Sequence, residues 1–334
     1  MKKTLSKKNF CKIGLSLLSL LLITISGDIF AASKKTFKMA VVLDMSDPMS
    51  IYLQYWADAI DELSKGELKA TIFHSAKLGG ERETIEQIQS QALDGASLSG
   101  GVLTNFVPEW KFYTLPFIFT SQEECVAFEG SREAVELRKY TEKAGLKWLG
   151  YEPLLFRSVM SKMPLKTPED AKGVKIRSLE SPMMVQGYNL MGFNAIPISY
   201  SEVYTAIQTG VVQAYDQGVM TLSLTKMWEL MKNLTLTNAY YDGCFLMMSL
   251  KTYNSLDENQ KKIVNTAAEI ATQKIIVKIQ SLYDYAVKDL TDHGVNIIQP
   301  DLKAFTAKTR PLYDQFIKEF PALEPMIKRA HISR

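Results

Sequence analysis

Histidine and cysteine are scarce in this chain of 334 residues, with three of each. His74, His293 and His331 have no second ligand at i+3 or i+4, and no CxxC pair exists, so neither a metal pair nor a dithiol motif is supported. A GxSxG elbow and a GxxxxGK[ST] loop are missing too, and the Gly100-Gly101 pair lacks the GxGxxG spacing of dinucleotide sites. Without a nucleophile, a base or a metal cluster, an exported hydrolase or lyase has no reacting constellation. The expectation is a non-enzyme with no catalytic residue, no metal and no cofactor.

Membrane-spanning runs are absent as well. The apolar stretch Ile13 to Ile25 falls short of the roughly 20 residues a bilayer needs. It follows a basic start, Lys2, Lys3, Lys7, Lys8 and Lys12, and precedes Ile29-Phe30-Ala31-Ala32, so residues 1–32 read as a signal peptide cleaved after Ala31 or Ala32. No cysteine stands there for a lipid anchor. Residues 1–32 carry five lysines and Asp28, so without them 39 basic and 36 acidic residues become 34 and 35. A near-neutral mature chain argues against nucleic acid as a partner and gives no membrane-surface signal, and no direct membrane insertion is expected after cleavage. The expected location is the periplasm. Cys125 and Cys244 then remain, and two thiols so far apart read as buried apolar residues rather than as a bridge.

What is present is an alternation of strand-like and helical runs. Phe37 to Leu43 is a strand, Tyr52 to Leu63 a helix with Leu53, Trp56, Ile60 and Leu63 on one face, Leu68 to Phe73 a strand, and Glu81 to Leu93 a helix turning Ile85, Ile88 and Leu93 inward. The second half repeats this grammar. Val174 to Arg177 is a strand, Pro182 to Met191 a helix and Asn194 to Ile198 a strand. A helix then opens at Ser199 with a capping box to Glu202, buries Val203, Ala206 and Ile207, and stops at Gly210. Val211 to Asp216 and Cys244 to Leu250 are further strands, with Met247 and Met248 in the core. Such alternation marks βαβ units and a mostly parallel sheet.

From Asp257 to His293 there is neither proline nor glycine, Asp257 and Gln260 can cap the start, and Gly294 can end it. Ile263, Ala267, Ile270 and Ile275 are inward candidates. At about 1.5 Å per residue this helix approaches 50 Å and would run across two lobes, unless it breaks into two near Ser281.

Among charged residues, Glu81, Glu83 and Glu86 surround Arg82 and read as the solvated first turn of a helix, where carboxylates suit the dipole. Arg177 differs. In Val174-Lys175-Ile176-Arg177 it stands at the carboxyl end of a strand, where ligands sit in open α/β sheets, and it can grip a carboxylate bidentately or serve in a structural ion pair. Arg157, after Leu154-Leu155-Phe156, invites a weaker version of the same reading.

Five blocks follow one another in a telling order: Leu78-Gly79-Gly80-Glu81-Arg82-Glu83, Leu115-Pro116-Phe117, Lys172 to Arg177, Ser201-Glu202-Val203-Tyr204 on to Val212, and Ser255-Leu256-Asp257-Glu258-Asn259-Gln260. The ordered set resembles the periplasmic substrate-binding subunits of tripartite ATP-independent periplasmic (TRAP) transporters over nearly all of the mature chain. The resemblance implies that Arg177 forms the main salt bridge to a ligand carboxylate, with Arg157, Tyr200, Gln217 and Ser99 as further ligand-binding residues; Asp216 and Tyr240, beside them in the sequence, are further candidates for the ligand site. Gln217 stands where many relatives carry asparagine, and Tyr215, Tyr240 and Tyr241 are expected to make the cleft flatter and less polar. The implied partners are a small organic acid and the small and large membrane subunits of the transporter. An ATP-driven importer or a sensor kinase is the rival setting for such a binding protein.

The expected fold is therefore α/β, a two-lobed periplasmic-binding-protein-like architecture with mixed, mostly parallel sheets and a long helix spanning both lobes. One lobe takes residues 33–154 and 243–282, the other 155–242 and 283–334.

Overall fold

The structure, a computed structural model, describes residues 34–330. The expected signal segment 1–32, its expected cleavage site and His331 lie outside the described residues.

Nine strands make one hydrogen-bonded network: β1 (Lys35–Ala40), β2 (Leu68–Phe73), β3 (Gly95–Ser99), β4 (Leu146–Ser161), β5 (Lys175–Ser178), β6 (Asn194–Pro197), β7 (Ala214–Gly218), β8 (Asn233–Ser249) and β9 (Asn296–Ile298). The order is β2-β1-β3-β8-β4-β7-β5-β6, with β9 against β8. One wing is β1, β2 and β3, the other β5, β6 and β7, each internally parallel as βαβ units require. The long antiparallel pair β4 and β8 joins the wings, giving the two-lobed α/β fold. Five of the eight pairings are parallel, β8 with β9 included.

The pleat sends alternate side chains to opposite faces. In β8, Phe245 and Met247 join one apolar core and Leu246 and Met248 the other. The first core is aromatic, built around Trp110, Phe112, Phe119, Phe128 and Phe245. The second holds the helix Pro48–Leu63, whose Leu53, Trp56 and Ile60 are fully buried at roughly 1.5–3 kcal/mol each. Leu63, expected on that face, is exposed at the last turn. Cys125 and Cys244 are both buried and are not joined in a disulfide.

The long helix is a single element, Glu258–Asp292, of 35 residues, without a break at Ser281. Its capping box forms as the sequence indicated: Asp257 Oδ1 accepts from the Gln260 amide at 2.8 Å, and the Gln260 side chain accepts from the Asp257 amide at 3.3 Å. Val264, Ala267, Ala271, Ile275 and Ile279 are buried, while Ile263 and Ile270 are only partly so. Trp56 Nε1 donates to Val264 O near its start, and Ser223 Oγ donates to Asp289 near its end.

Two local expectations need correction. Ser199 and Glu202 form no capping box, because the segment opens with a 3-10 turn, Tyr200–Glu202, in which the Glu202 amide donates to Ser199 O at 3.0 Å. The α-helix proper is Val203–Gln208, and it does end toward Gly210, whose φ of +78° suits glycine. Glu81 is not solvated. It is 6% exposed, because the start of the helix Glu81–Gln89 faces the end of β3.

Candidate functional site

The carboxyl ends of β3, β5 and β7 meet where the register of β4 is irregular. Register shifts in β4 fall between Pro153 and Phe156 and between Arg157 and Val159, so Arg157 sits between two irregularities, opposite Gly218 of β7 and Tyr240 of β8. Bulges of this kind re-aim side chains beside sites. Arg177 lies in β5, opposite Ile196 and Tyr215.

The two arginines have different surroundings. Arg157, 3% exposed, donates Nε to Asp216 Oδ2 at 2.6 Å and Nη2 to Asp216 O at 2.8 Å and Oδ1 at 3.3 Å. Arg177, 1% exposed, donates Nε to Ile198 O at 2.9 Å and lies 5.5 Å over the Tyr215 ring. Its Nη1 is buried with no hydrogen-bond partner, 3.9 Å from Asp216 Oδ1. A buried guanidinium N–H without a partner is costly, and it is the kind of group a carboxylate satisfies. Burial lowers the Arg177 pKa from its ordinary value, opposed by Tyr215 and Asp216.

The other expected residues gather round this pair, several of them engaged with the protein. Ser99 ends β3 and donates its amide at 2.7 Å and its hydroxyl at 2.5 Å to the two oxygens of Glu81. Burial pushes the Glu81 carboxyl up, against those two bonds and the charges of Arg177 and Arg157. Gln217 turns its amide onto its own strand, donating to Tyr215 Oη at 3.0 Å and accepting from the Gly218 amide at 2.9 Å. Tyr215 Oη is pushed up to about 12 by burial. Tyr240 Oη donates to Met184 O at 3.3 Å, and Tyr200 is half-buried with its hydroxyl pKa raised by burial. Asp216, fully buried, fixes Arg157 in place.

Beside Arg157 lies a small cavity of ≈ 10 Å³, lined by Ser99, Gly100, Gly101, Met184, Tyr240 and Tyr241 among others. Sequence reasoning missed Glu81, Leu179 and Met184. Glu81 gives no local signal, since a Glu-Arg-Glu helix start looks solvent-facing. Leu179 and Met184 do carry one, for they follow directly on the strand that ends with Arg177 and Ser178. No group of three or more histidine, cysteine or acidic residues among the described residues is placed to hold a metal.

Comparison with known proteins adds a family. Residues 39–319 match the model of the DctP family, the bacterial extracellular solute-binding proteins, family 7. A solute-binding protein of Chromohalobacter salexigens is 30% identical over 288 residues, 84% of this chain and 84% of its own. A TRAP periplasmic solute-binding protein of Sulfitobacter with bound β-D-galacturonate superposes with a TM-score of 0.85 at 28% identity, covering 88% of this chain and 99% of that one. Another from Bordetella, with density interpreted as pantoate, gives 0.85 at 28% identity over 90% and 99%.

Proposed function

This chain belongs to family 7 of the bacterial extracellular solute-binding proteins, and on that premise we propose that its buried Arg177 takes the carboxylate of a small organic acid. It is a TRAP-type periplasmic solute-binding protein, a binder of small acids and not an enzyme. The observation that carries the assignment to Arg177 is the pairing of its neighbour: Arg157 is held by Asp216 through three hydrogen bonds, whereas Arg177 keeps Nη1 buried and unpartnered. Arg157 and Asp216 act as the frame, and Ser99, Tyr200, Gln217 and Tyr240 complete the surround of the bound acid.

Residues 1–32 direct export and are removed with it, and no described helix is long and apolar enough to cross a membrane. The lobes are residues 33–154 with 243–282 and residues 155–242 with 283–334, joined through β4, β8 and the long helix. Closure of the cleft is supported by polar contacts between the two sets: Asn105 Nδ2 to Glu180 O, Thr104 Oγ1 with Ser181 Oγ at 3.3 Å, and Thr221 Oγ1 to Asp47 Oδ2 at 2.7 Å. The closed shape, favoured by the ligand, is what the small and large membrane subunits read.

A thermal-shift screen of mono- and dicarboxylates, keto acids and sugar acids tests the role of Arg177. At least one acid raises the melting temperature of the wild type. In Arg177→Ala the affinity falls by about two orders of magnitude, as expected from the loss of two charge-assisted hydrogen bonds of about 1.5 kcal/mol each. An undiminished shift in the variant refutes the assignment.

A further inference from the structure

We infer that Tyr188 is a positioning residue for the bound acid: once the ligand carboxylate occupies Arg177, the Tyr188 hydroxyl donates to Asp216 and keeps that carboxylate on Arg157. The inference rests on the proposed role of Arg177 and concerns what becomes of Asp216 when Arg177 is taken.

The sheet brings Tyr188 and Asp216 to the same side. In β7 the pleat puts Ala214 and Asp216 on one face and Tyr215 on the other, and Val159 of β4 lies opposite Asp216. Ala214 and Val159 belong to the aromatic core, as do Tyr240 and Tyr188. Tyr188 stands on the helix Pro182–Leu190, with its ring 5.2 Å from that of Tyr240, and Tyr240 is the β8 residue paired with Arg157. Arg177 goes with the other face, where Tyr215 is its partner in the register and its ring lies beneath the guanidinium.

Donors and acceptors on the Tyr188 side do not balance. Tyr188 is fully buried, and its hydroxyl has no hydrogen-bond partner. Its neighbour Tyr240 has already given its proton to Met184 O. Asp216 Oδ2 accepts from Arg157 at 2.6 Å, but Oδ1 accepts only one long bond, at 3.3 Å, and a carboxylate oxygen can take two. A buried hydroxyl left without a partner is costly, and its persistence calls for a state in which it is satisfied. Burial first, and then the charge of Asp216, push the Tyr188 hydroxyl well above the ordinary phenol range, so it keeps its proton and remains a donor.

The arriving acid supplies that state. A carboxylate on Arg177 Nη1 brings a second negative charge to within reach of Asp216, in a dry region where like charges are poorly screened. Asp216 and the ligand then compete for two guanidiniums. A hydrogen bond to Asp216 from the Tyr188 side offsets this competition, and bonds to a charged acceptor are the strong ones. Tyr188 itself touches no ligand atom.

The test pairs calorimetric titration with urea unfolding, on the chain without residues 1–32. The probes are pantoate, succinate, pyruvate and D-glucuronate, one for each class of acid in the thermal-shift screen. Tyr188→Phe keeps the ring and removes only the hydroxyl. Without ligand, its urea midpoint stays at or above that of the wild type, while the Kd of the tightest-bound probe rises at least fivefold. In protein labelled with fluorotyrosine, the fluorine resonance that Tyr188→Phe deletes moves when that probe saturates the wild type. An unchanged Kd, a lowered midpoint or a stationary resonance overturns the inference. Failure of all four probes to bind the wild type, or undiminished affinity in Arg177→Ala, removes the proposed function and this inference with it. Strict dependence on Arg177 with an unchanged Kd in Tyr188→Phe sinks the role of Tyr188 alone.

Discussion

In the cluster behind Tyr113, Glu129 has both carboxylate oxygens engaged, one by Tyr113 Oη at 2.7 Å and the other by Arg138 Nη2 at 2.6 Å, and the guanidinium lies 3.8 Å over the Trp148 ring. In the cluster around Arg157, the acid Asp216 is engaged as fully, but a second guanidinium stands 3.9 Å away, its Nη1 facing that acid without a hydrogen bond. Both clusters reach the cavity, through Tyr113 in one case and Arg157 in the other. In the Glu129 cluster one base serves one acid, and although Arg138 Nε has no hydrogen-bond partner, its guanidinium is covered by the Trp148 ring. A second base beside an already matched acid leaves a donor in excess, and such an excess marks the place where a guest completes the set.

The contrast breaks most visibly at Asp216. Asp216→Asn leaves two buried guanidiniums without their acid and should lower unfolding free energy by about 3–5 kcal/mol, read by urea titration, while abolishing the ligand-induced shift. A loss under about 1 kcal/mol would mean that Asp216 does not hold the pair. Glu129→Gln should cost less, about 1–3 kcal/mol, because Arg138 is partly exposed and keeps its stacking on Trp148. Its ligand Kd should stay within about twofold of the wild type, and a larger change would erase the distinction between the two clusters.

The smallest effect concerns Glu81. Its folded pKa is raised above 4.5, so the native state holds a proton more firmly than the unfolded chain. That contribution is present below pH 4.5 and is lost as pH rises through the folded pKa. Urea midpoints measured from pH 4 to 8 should therefore carry a downward component in the wild type that is missing in Glu81→Gln. Parallel curves would show that Ser99 and the two arginines fully offset the burial of the carboxyl.

How far the residues announced all this depends on whether the cause was local. Arg177 was legible because strand alternation and its place at the end of β5 are properties of a few neighbours. The long helix was legible for the same reason: Asp257, Gln260 and a proline-free, glycine-free run suffice to specify it. Glu81 was hidden because its burial comes from Ser99, eighteen positions further on. β4 and β8, of 16 and 17 residues, showed only as fragments, since Pro153 and Gly243 interrupt their apolar runs while partners across the sheet carry the pairing through. The wall formed by Leu179 and Met184 could be located after the strand that ends with Arg177, yet its closeness to Gly101 is a product of the assembled wings.

The helix Glu258–Asp292 also behaves as a ruler. It is anchored by the carbonyl of Val264 on Trp56 near one end and by Asp289 on Ser223 near the other. One residue inserted between those anchors would turn everything beyond it by about 100° and advance it by about 1.5 Å. Asp289 would then point away from Ser223. Substitution along the solvent side, as at Val277, leaves both anchor points where they are, whereas a change of length does not. The number of residues in this rod is dictated by the span of the sheet it lies along, and that span is the quantity its sequence has to preserve.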